Sequence, residues 1–142
     1  MTAKNITRLL AVALIACLPL LASADEGSRA LPGSSISSVV KSYISAEEKQ
    51  DYAHVYLLLS RGKKEQLRRE YTVMGAKDYT KLRQSSEARW FGFSETKRNI
   101  AAKEATVMFN VTIEESGEKE RVPLTIRLVI QDGYWRIDDI KY

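Results

Sequence analysis

The stretch from Lys103 to Tyr142 constrains the fold of this chain more than any other. From Ala105 to Ile113 apolar and polar side chains alternate, and this period of two predicts a β-strand with one buried face. A second strand follows over Leu124 to Ile130, after a turn at Glu115 to Glu118. A third strand follows Asp132-Gly133, a pair typical of a tight hairpin turn. This stretch therefore predicts consecutive antiparallel strands that share one strongly apolar face.

A further strand is predicted before these three. The run Arg89-Trp90-Phe91-Gly92-Phe93 opens it, and it continues to about Ile100. A glycine inside a strand indicates a bulge or a bend, so we expect one at Gly92. The sheet is accordingly predicted to have three to four strands.

The residues before the sheet predict helices that cover it. Apolar side chains between positions 34 and 86 recur at helical spacing. Ser34 or Ser35 and then Asp51 suit the N-caps of the first two helices. A third helix is predicted over Lys63 to Met74 with Gly75 as its C-cap, and a short fourth helix follows. Helices followed by strands predict an α+β class, with N-terminal helices packed on a curved antiparallel sheet.

The first 24 residues predict a secretory signal peptide. Two basic residues precede an apolar run over Leu9 to Leu21, and Ala22-Ser23-Ala24 supplies the small residues of a cleavage site. The run is shorter than the ~20 residues that a membrane-spanning helix needs. We therefore expect a linker over residues 25–33, a single domain over residues 34–142, and a periplasmic or secreted protein.

A lipid anchor is the alternative at this end of the chain. Leu14-Ile15-Ala16-Cys17 resembles a bacterial lipobox, which predicts a lipoprotein anchored at Cys17. The chain stays apolar after Cys17, however, and the Ala-Ser-Ala site competes with it. Cleavage after Ala24 would leave a mature chain with no cysteine, and thus no disulfide or thiolate site.

The chain resembles the nuclear transport factor 2-like (cystatin-like) superfamily of cone-shaped α+β domains. The resemblance rests on Asp51-Tyr52 with Tyr56 to Ser60, on the strand start Glu104 to Val107, and on Leu128 to Ile137. It covers roughly residues 34–142 and is strongest to small exported bacterial members of no assigned function. The superfamily includes isomerases, dehydratases, ligand-binding domains and accessory domains, so the resemblance implies a fold without choosing an activity.

His54 is the one candidate for acid–base chemistry, because histidine titrates near neutral pH. With Asp51 or Tyr56 it would make a small isomerase- or hydrolase-like enzyme. Two observations oppose this hypothesis. Asp51 is better placed as a helix cap, and the inward face of the strands carries almost no polar group. With one histidine and no mature cysteine, we expect neither a metal site nor a cofactor.

Two surfaces are candidates for binding. Trp90, Phe91 and Phe93, with Tyr56, can form the rim of a pocket for a small apolar ligand, or the first three can belong to the core. The mixed outer face of the sheet can pair with a second copy and form a homodimer. The residues predicted for that dimer face are Met108, Arg127, Val129 and Arg136.

The segment from Arg61 to Arg98 is basic, with eleven Lys and Arg against five Asp and Glu. This charge can attract an anionic membrane surface, or it can form a solvated helix face. The formal net charge of the chain is only +4, and a nucleic-acid partner is not expected. The leading prediction is a non-enzymatic exported envelope domain that binds a small apolar ligand or a protein partner. A structural module that dimerises through its sheet is the further alternative.

Overall fold

The computed structural model of this chain describes residues 33–142. The predicted signal peptide, Cys17 and the linker up to Pro32 lie outside the described residues. Four helices precede four strands, which confirms the predicted α+β class and its order. The elements are α1 Ile36–Glu48, α2 Tyr52–Leu58, α3 Arg61–Tyr71, α4 Ala76–Ser85, β1 Arg89–Ile100, β2 Glu104–Glu115, β3 Glu118–Gln131 and β4 Tyr134–Lys141.

The four strands form one antiparallel sheet in chain order, β1-β2-β3-β4. Strands β2 and β3 pair without interruption, whereas β1 shifts its register between Phe91 and Ser94. Gly92 lies at this shift with a φ of +65°, a left-handed conformation that glycine adopts without steric cost. The bulge predicted at Gly92 is therefore confirmed. A second shift, between Arg127 and Leu128, lies where β4 pairs with β3.

Short polar side chains begin the first three helices. The Ser35 hydroxyl accepts the Ser38 N–H and caps α1, and the Asp51 carboxylate accepts the His54 N–H at 3.2 Å and caps α2. The predicted C-cap at Gly75 is wrong. Helix α3 ends at Tyr71 with Thr72 in the left-handed conformation, because Val73 turns into the core and is 2% exposed. Gly75 instead precedes α4 as its N-cap.

The core lies between the helices and the concave face of the sheet. Aromatic side chains join the two layers: the Phe93 ring meets Tyr43 of α1 and Phe109 of β2 edge to face, each with centroids 5.9 Å apart. Such pairs add to the ~1.5–3 kcal/mol that burial of each large apolar side chain contributes. Other fully buried members are Val39, Val55, Leu58, Val107, Ile126, Leu128 and Ile137.

The free edge of β4 is covered by two short backbone contacts. The Trp135 N–H donates to the Gly33 carbonyl at 2.7 Å, and the Ser60 N–H donates to the Ile137 carbonyl at 2.8 Å. These contacts occupy groups that would otherwise be open to pairing with another chain. They also hold the start of the domain and the α2–α3 junction against the sheet.

Replacing Gly33 with alanine is expected to destabilise the protein by about 1–3 kcal/mol. Gly33 has a φ of +101°, and a Cβ there would lie 2.7 Å from the Trp135 carbonyl oxygen and also against the Arg136 guanidinium. Chemical denaturation measures the change. Gly75→Ala is the matched control, because a Cβ at Gly75 meets no atom within 4 Å. Equal stability of the two variants would contradict this account of the edge.

Candidate functional site

The inner face of the sheet extends beyond the helices that cover it. Along β2 the inward side chains Val107, Phe109 and Val111 are fully buried, but Ile113 is only half-buried. An open cleft of about 1080 Å³ lies at this end, between the sheet and helices α3 and α4. Its sheet wall is apolar and consists of Trp90, Ile113, Val122, Ile140 and Tyr142, and its helix wall includes Leu67, Tyr71, Tyr79, Leu82 and Arg83.

An ion pair between Arg83 and Glu47 forms the inner end of the cleft, beside Trp90. Arg83 Nη2 donates to Glu47 Oε2 at 3.0 Å, and Tyr43 donates its hydroxyl to the same oxygen at 3.1 Å. Arg83 Nη1 lies 2.9 Å from Glu47 Oε1, although this oxygen accepts no well-directed hydrogen bond within residues 33–142. The Glu47 side chain is 0% exposed and the Arg83 side chain 15%, so only the arginine reaches the cleft.

Helix geometry assembles this pair. Glu47 lies four residues after Tyr43 on α1, and Arg83 lies four residues after Tyr79 on α4, so each charged group sits one turn from a buried tyrosine. Helices α1 and α4 both pack against α2, and this arrangement brings the two turns together. We name Glu47, Arg83, Tyr43 and Tyr79 the buried polar cluster.

Aromatic rings surround the guanidinium of Arg83. Its central carbon lies 4.6 Å from the centre of the Tyr52 ring and 4.9 Å from that of Trp90, which are cation–π distances. Its Nη1 also donates to the Tyr79 hydroxyl at 3.2 Å. Burial alone would lower the pKa of Arg83, but attraction to Glu47 outweighs it and the pKa is raised. Arg83 therefore stays charged across the accessible pH range.

Both tyrosines of the buried polar cluster keep their protons. Burial raises the pKa of Tyr43 well above its ordinary value, and the neighbouring Glu47 raises it further. Burial likewise raises the pKa of Tyr79, although Arg83 opposes the rise. The two hydroxyls therefore remain protonated and able to donate hydrogen bonds at neutral pH.

The lip of the cleft is charged. The β2–β3 hairpin contributes the exposed Glu115, Glu118 and Glu120, whereas cations come from Lys63 and Lys119. The Lys63 ammonium is 3.4 Å from the Asp139 carboxylate, so its positive charge is already paired within the chain. The hairpin side of the lip is therefore acidic.

Of the four residues predicted to form a pocket rim, the structure brings only Trp90 to the cleft. Phe91 lies opposite Thr112 on the outer face, with Arg89 over its ring. Phe93 packs in the core. The Tyr56 ring lies tilted against the Tyr79 ring, with centroids 5.7 Å apart, and does not line the cleft. The cleft therefore differs from the predicted pocket in every member but one.

His54 lies away from the cleft. It is half-exposed in a shallow depression of about 330 Å³ between α1 and α2, with Lys41, Lys49 and Asp51 nearby. Asp51 is engaged as the α2 cap, and Tyr56, two residues on, points to another side of the helix. The structure does not assemble the acid–base group predicted around His54. Residues 33–142 hold no group of three or more His, Cys, Asp or Glu side chains close enough to bind a metal ion.

The residues predicted for a dimer face do share the outer face of the sheet. Strand pairing places Met108, Arg127, Val129 and Arg136 there. Arg127 is already paired within the chain, at 2.8 Å from Glu104 and 2.6 Å from Asp138. Dimerisation through this face stays a prediction.

The basic segment is partly neutralised in the fold. Five of its eleven cations, Arg61, Lys63, Arg68, Arg83 and Arg98, lie in ion pairs with carboxylates of the chain. The charge available to an anionic membrane surface is therefore smaller than the sequence count. No helix within residues 33–142 is long and apolar enough to span a membrane.

Solved structures share this fold. A designed protein whose name carries NTF2 aligns with a TM-score of 0.53 and 16% identity over 73% of this chain and 92% of its own. A SEC-C motif containing protein from Rhodopseudomonas palustris aligns with a TM-score of 0.61 and 13% identity over 88% of this chain and 87% of its own. Bd1075 of Bdellovibrio bacteriovorus aligns with a TM-score of 0.54 and 16% identity over 75% of this chain but only 38% of its own.

These similarities support an NTF2-like α+β fold and nothing finer, because all three identities are low. No protein-family model and no curated protein matches the chain. The geometry of the cleft and of the buried polar cluster is therefore the ground for any functional conclusion.

Glu47 and Arg83 of the buried polar cluster were not predicted as site residues from the sequence, although the position of Glu47 offered a signal. Glu47 falls on the same helical stripe as Val40 and Tyr43, which the spacing predicts to be buried. A carboxylate on a buried stripe requires a cationic or hydrogen-bonding partner. The spacing does not identify the partner, because Arg83 is 36 residues away in the chain.

Proposed function

We propose that this protein is an exported, non-catalytic domain that binds a small, largely apolar ligand in the cleft. The observation that carries the proposal is the uncovered end of the apolar sheet wall, where Trp90, Ile113, Val122 and Ile140 line open space instead of packing under a helix. Apolar surface left in water costs ~25 cal/mol per Å² relative to its burial. A ligand that covers this wall recovers that free energy.

The dimensions and composition of the cleft agree with this role. Ligand pockets commonly enclose about 300–1,000 Å³ and combine apolar walls with a few fixed polar groups. The present cleft, at about 1080 Å³, slightly exceeds that range. The charge next to Trp90, that of Arg83, is neutralised by Glu47 and held between aromatic rings, and Lys63 is paired with Asp139. An apolar molecule can therefore enter without leaving an unpaired charge buried.

The same cluster argues against catalysis in the cleft. Glu47 is sealed behind Arg83 with 0% of its side chain exposed, so it cannot reach a substrate. His54 faces a different part of the surface. Neither Glu47 nor His54 is therefore available as a general base in the cleft, although the fold itself is one that serves both ligand-binding and enzyme-like scaffolds.

Export is part of the proposal and is supported by the basic start, apolar run and Ala22-Ser23-Ala24 site of the sequence. Cleavage after Ala24 would give a periplasmic or secreted protein that begins at Asp25. Attachment of lipid at Cys17 would give a membrane-anchored form with the same cleft.

Assembly through the outer face of the sheet is the second candidate, favoured by the half-buried Met108 and Val129 on a face that no helix of the described domain covers. Sedimentation at high protein concentration distinguishes dimerisation through the sheet from ligand binding in the cleft. A protein that stays monomeric and carries a ligand would contradict the assembly role. Since Arg127 already pairs with Glu104 and Asp138, Met108→Lys is a cleaner disrupting variant than a change at Arg127.

Native mass spectrometry of protein purified from its own compartment tests the binding proposal. We expect an added mass of a few hundred daltons that disappears on denaturation. Ile113→Lys places an ammonium in the apolar wall and is expected to abolish the added mass, whereas Asn110→Lys, on the outer face of the same strand, is expected to retain it.

The outcomes separate the parts of the proposal. A bare protein mass for the unmodified chain, or the same ligand retained by Ile113→Lys, contradicts binding in the cleft. The denatured mass reports export: a chain that begins at Asp25 supports cleavage, a diacylglycerol adduct on Cys17 supports the lipoprotein, and an intact Met1 contradicts both.

A further inference from the structure

Hydrogen-bond donors outnumber acceptors where the buried polar cluster meets the cleft. A guanidinium has five N–H donors and no acceptor. Arg83 uses Nη1 toward Tyr79 and Nη2 toward Glu47, but its Nε–H has no acceptor among residues 33–142. The Tyr79 hydroxyl accepts from Arg83, and its own proton has no acceptor within the same part of the chain.

The carboxylate of this cluster offers no acceptor to the cleft, because its Oε1, which accepts no well-directed hydrogen bond within residues 33–142, is buried beside Arg83. Glu47 Oε2 receives hydrogen bonds from both Arg83 and Tyr43, and the carboxylate lies behind Arg83, out of reach of the cleft. Tyr79 and Arg83 both line the cleft. A molecule at this inner end of the cleft therefore meets donors, whereas the free carboxylates that line the cleft lie at its hairpin lip.

The charge of the cluster is balanced before any ligand binds, with one cation and one carboxylate. A ligand carboxylate would add a second negative charge next to Glu47 and beneath the acidic hairpin lip of Glu115, Glu118 and Glu120. A ligand ammonium would approach the cation of Arg83. Either ion would place a second, unpaired charge beside the buried polar cluster, and its partial desolvation there would be costly.

We propose that the ligand is uncharged and presents one hydrogen-bond acceptor, a carbonyl or amide oxygen, to the Tyr79 hydroxyl and the Arg83 guanidinium. Its ring or hydrocarbon body lies along Trp90, Ile113 and Ile140. The inference rests on the proposed function, since it names the class of ligand for the same cleft. A pure hydrocarbon is a poorer fit because it displaces water from donors that it cannot satisfy.

Four probes with one common ring system test this selectivity by isothermal titration: 2-acetylnaphthalene, naphthalene, 2-naphthoate and 2-naphthylmethylammonium. The neutral ketone is expected to bind about tenfold more tightly than naphthalene, the ratio that one net hydrogen bond provides. It is also expected to bind more tightly than either ion. Tyr79→Phe removes one donor and is expected to reduce the advantage of the ketone over naphthalene to less than about threefold.

Tyr56→Phe is the matched control, because Tyr56 is a neighbouring tyrosine that does not line the cleft, and we expect the tenfold ratio to persist. Equal binding of ketone and naphthalene, tightest binding of an ion, or an unchanged ratio in Tyr79→Phe would overturn this inference while leaving the cleft a binding site. Failure of all four probes to bind would count against both the inference and the proposed function.

Discussion

Replacing Glu47 with leucine is expected to lower the free energy of unfolding by about 3–5 kcal/mol. The substitution leaves Arg83 charged, 85% shielded and without its counter-ion, since 15% of its side chain is exposed. It also removes the acceptor of the buried Tyr43 hydroxyl. Loss of one partner from a buried pair costs more than the pair contributes, because the remaining charge keeps its desolvation penalty.

Urea denaturation measures this effect, and a double variant distinguishes its cause. Glu47→Leu combined with Arg83→Met replaces both charges with apolar side chains, and we expect it to recover at least half of the loss. Asp132→Asn is the control for an ion pair on the surface, where Arg61 and Asp132 are 71% and 68% exposed, and it should change stability little. A Glu47→Leu variant as stable as Asp132→Asn would show that the pair has no structural role.

Replacing Phe93 with alanine is expected to destabilise the protein by about 2–3 kcal/mol, somewhat less than full burial would give. The Phe93 ring contacts both Tyr43 and Phe109, so its removal opens a cavity at the junction of α1 with β1 and β2. Because Phe93 lies outside the cleft, the variant should keep its affinity for the ligand at temperatures where it stays folded.

Replacing Trp90 with alanine is expected, by contrast, to weaken ligand binding. Trp90 lies across from Ile113, stacks on Arg83 and lines the cleft, so its loss should reduce ligand affinity at least tenfold. Thermal melts and titrations with 2-acetylnaphthalene on both variants make the comparison. If Phe93→Ala lost affinity and Trp90→Ala did not, the ligand would bind near Phe93 and the cleft would not be the site.

The sequence alone did not predict which faces of β1 these two aromatic side chains occupy. Strict alternation would place Phe91 and Phe93 on one face of β1 and Trp90 on the other. The bulge at Gly92 inserts an extra residue, so Trp90 and Phe93 both face inward while Phe91 faces outward opposite Thr112. The sequence indicates the bulge, but only pairing with β2 determines which side chains it redirects.

Features that depend on near neighbours in the chain were predictable. The alternation in β2 and β3, the Asp132-Gly133 turn and the caps at Ser35 and Asp51 each arise within a few residues, and the structure confirms them. The α+β class follows from their order. The end of α3 was predicted wrongly, because the burial of Val73 outweighs the preference of glycine for a helix C-terminus.

The sequence by itself thus determined the strands, most of the helices and the apolar inner face of the sheet, because periodicity and capping are local properties of the chain. The tertiary structure alone decided that Glu47 meets Arg83 and that helices α3 and α4 leave Ile113 and Ile140 uncovered. Both depend on how far each helix reaches across the sheet. That reach is set by packing between elements distant in the chain, and local side-chain patterns do not encode it.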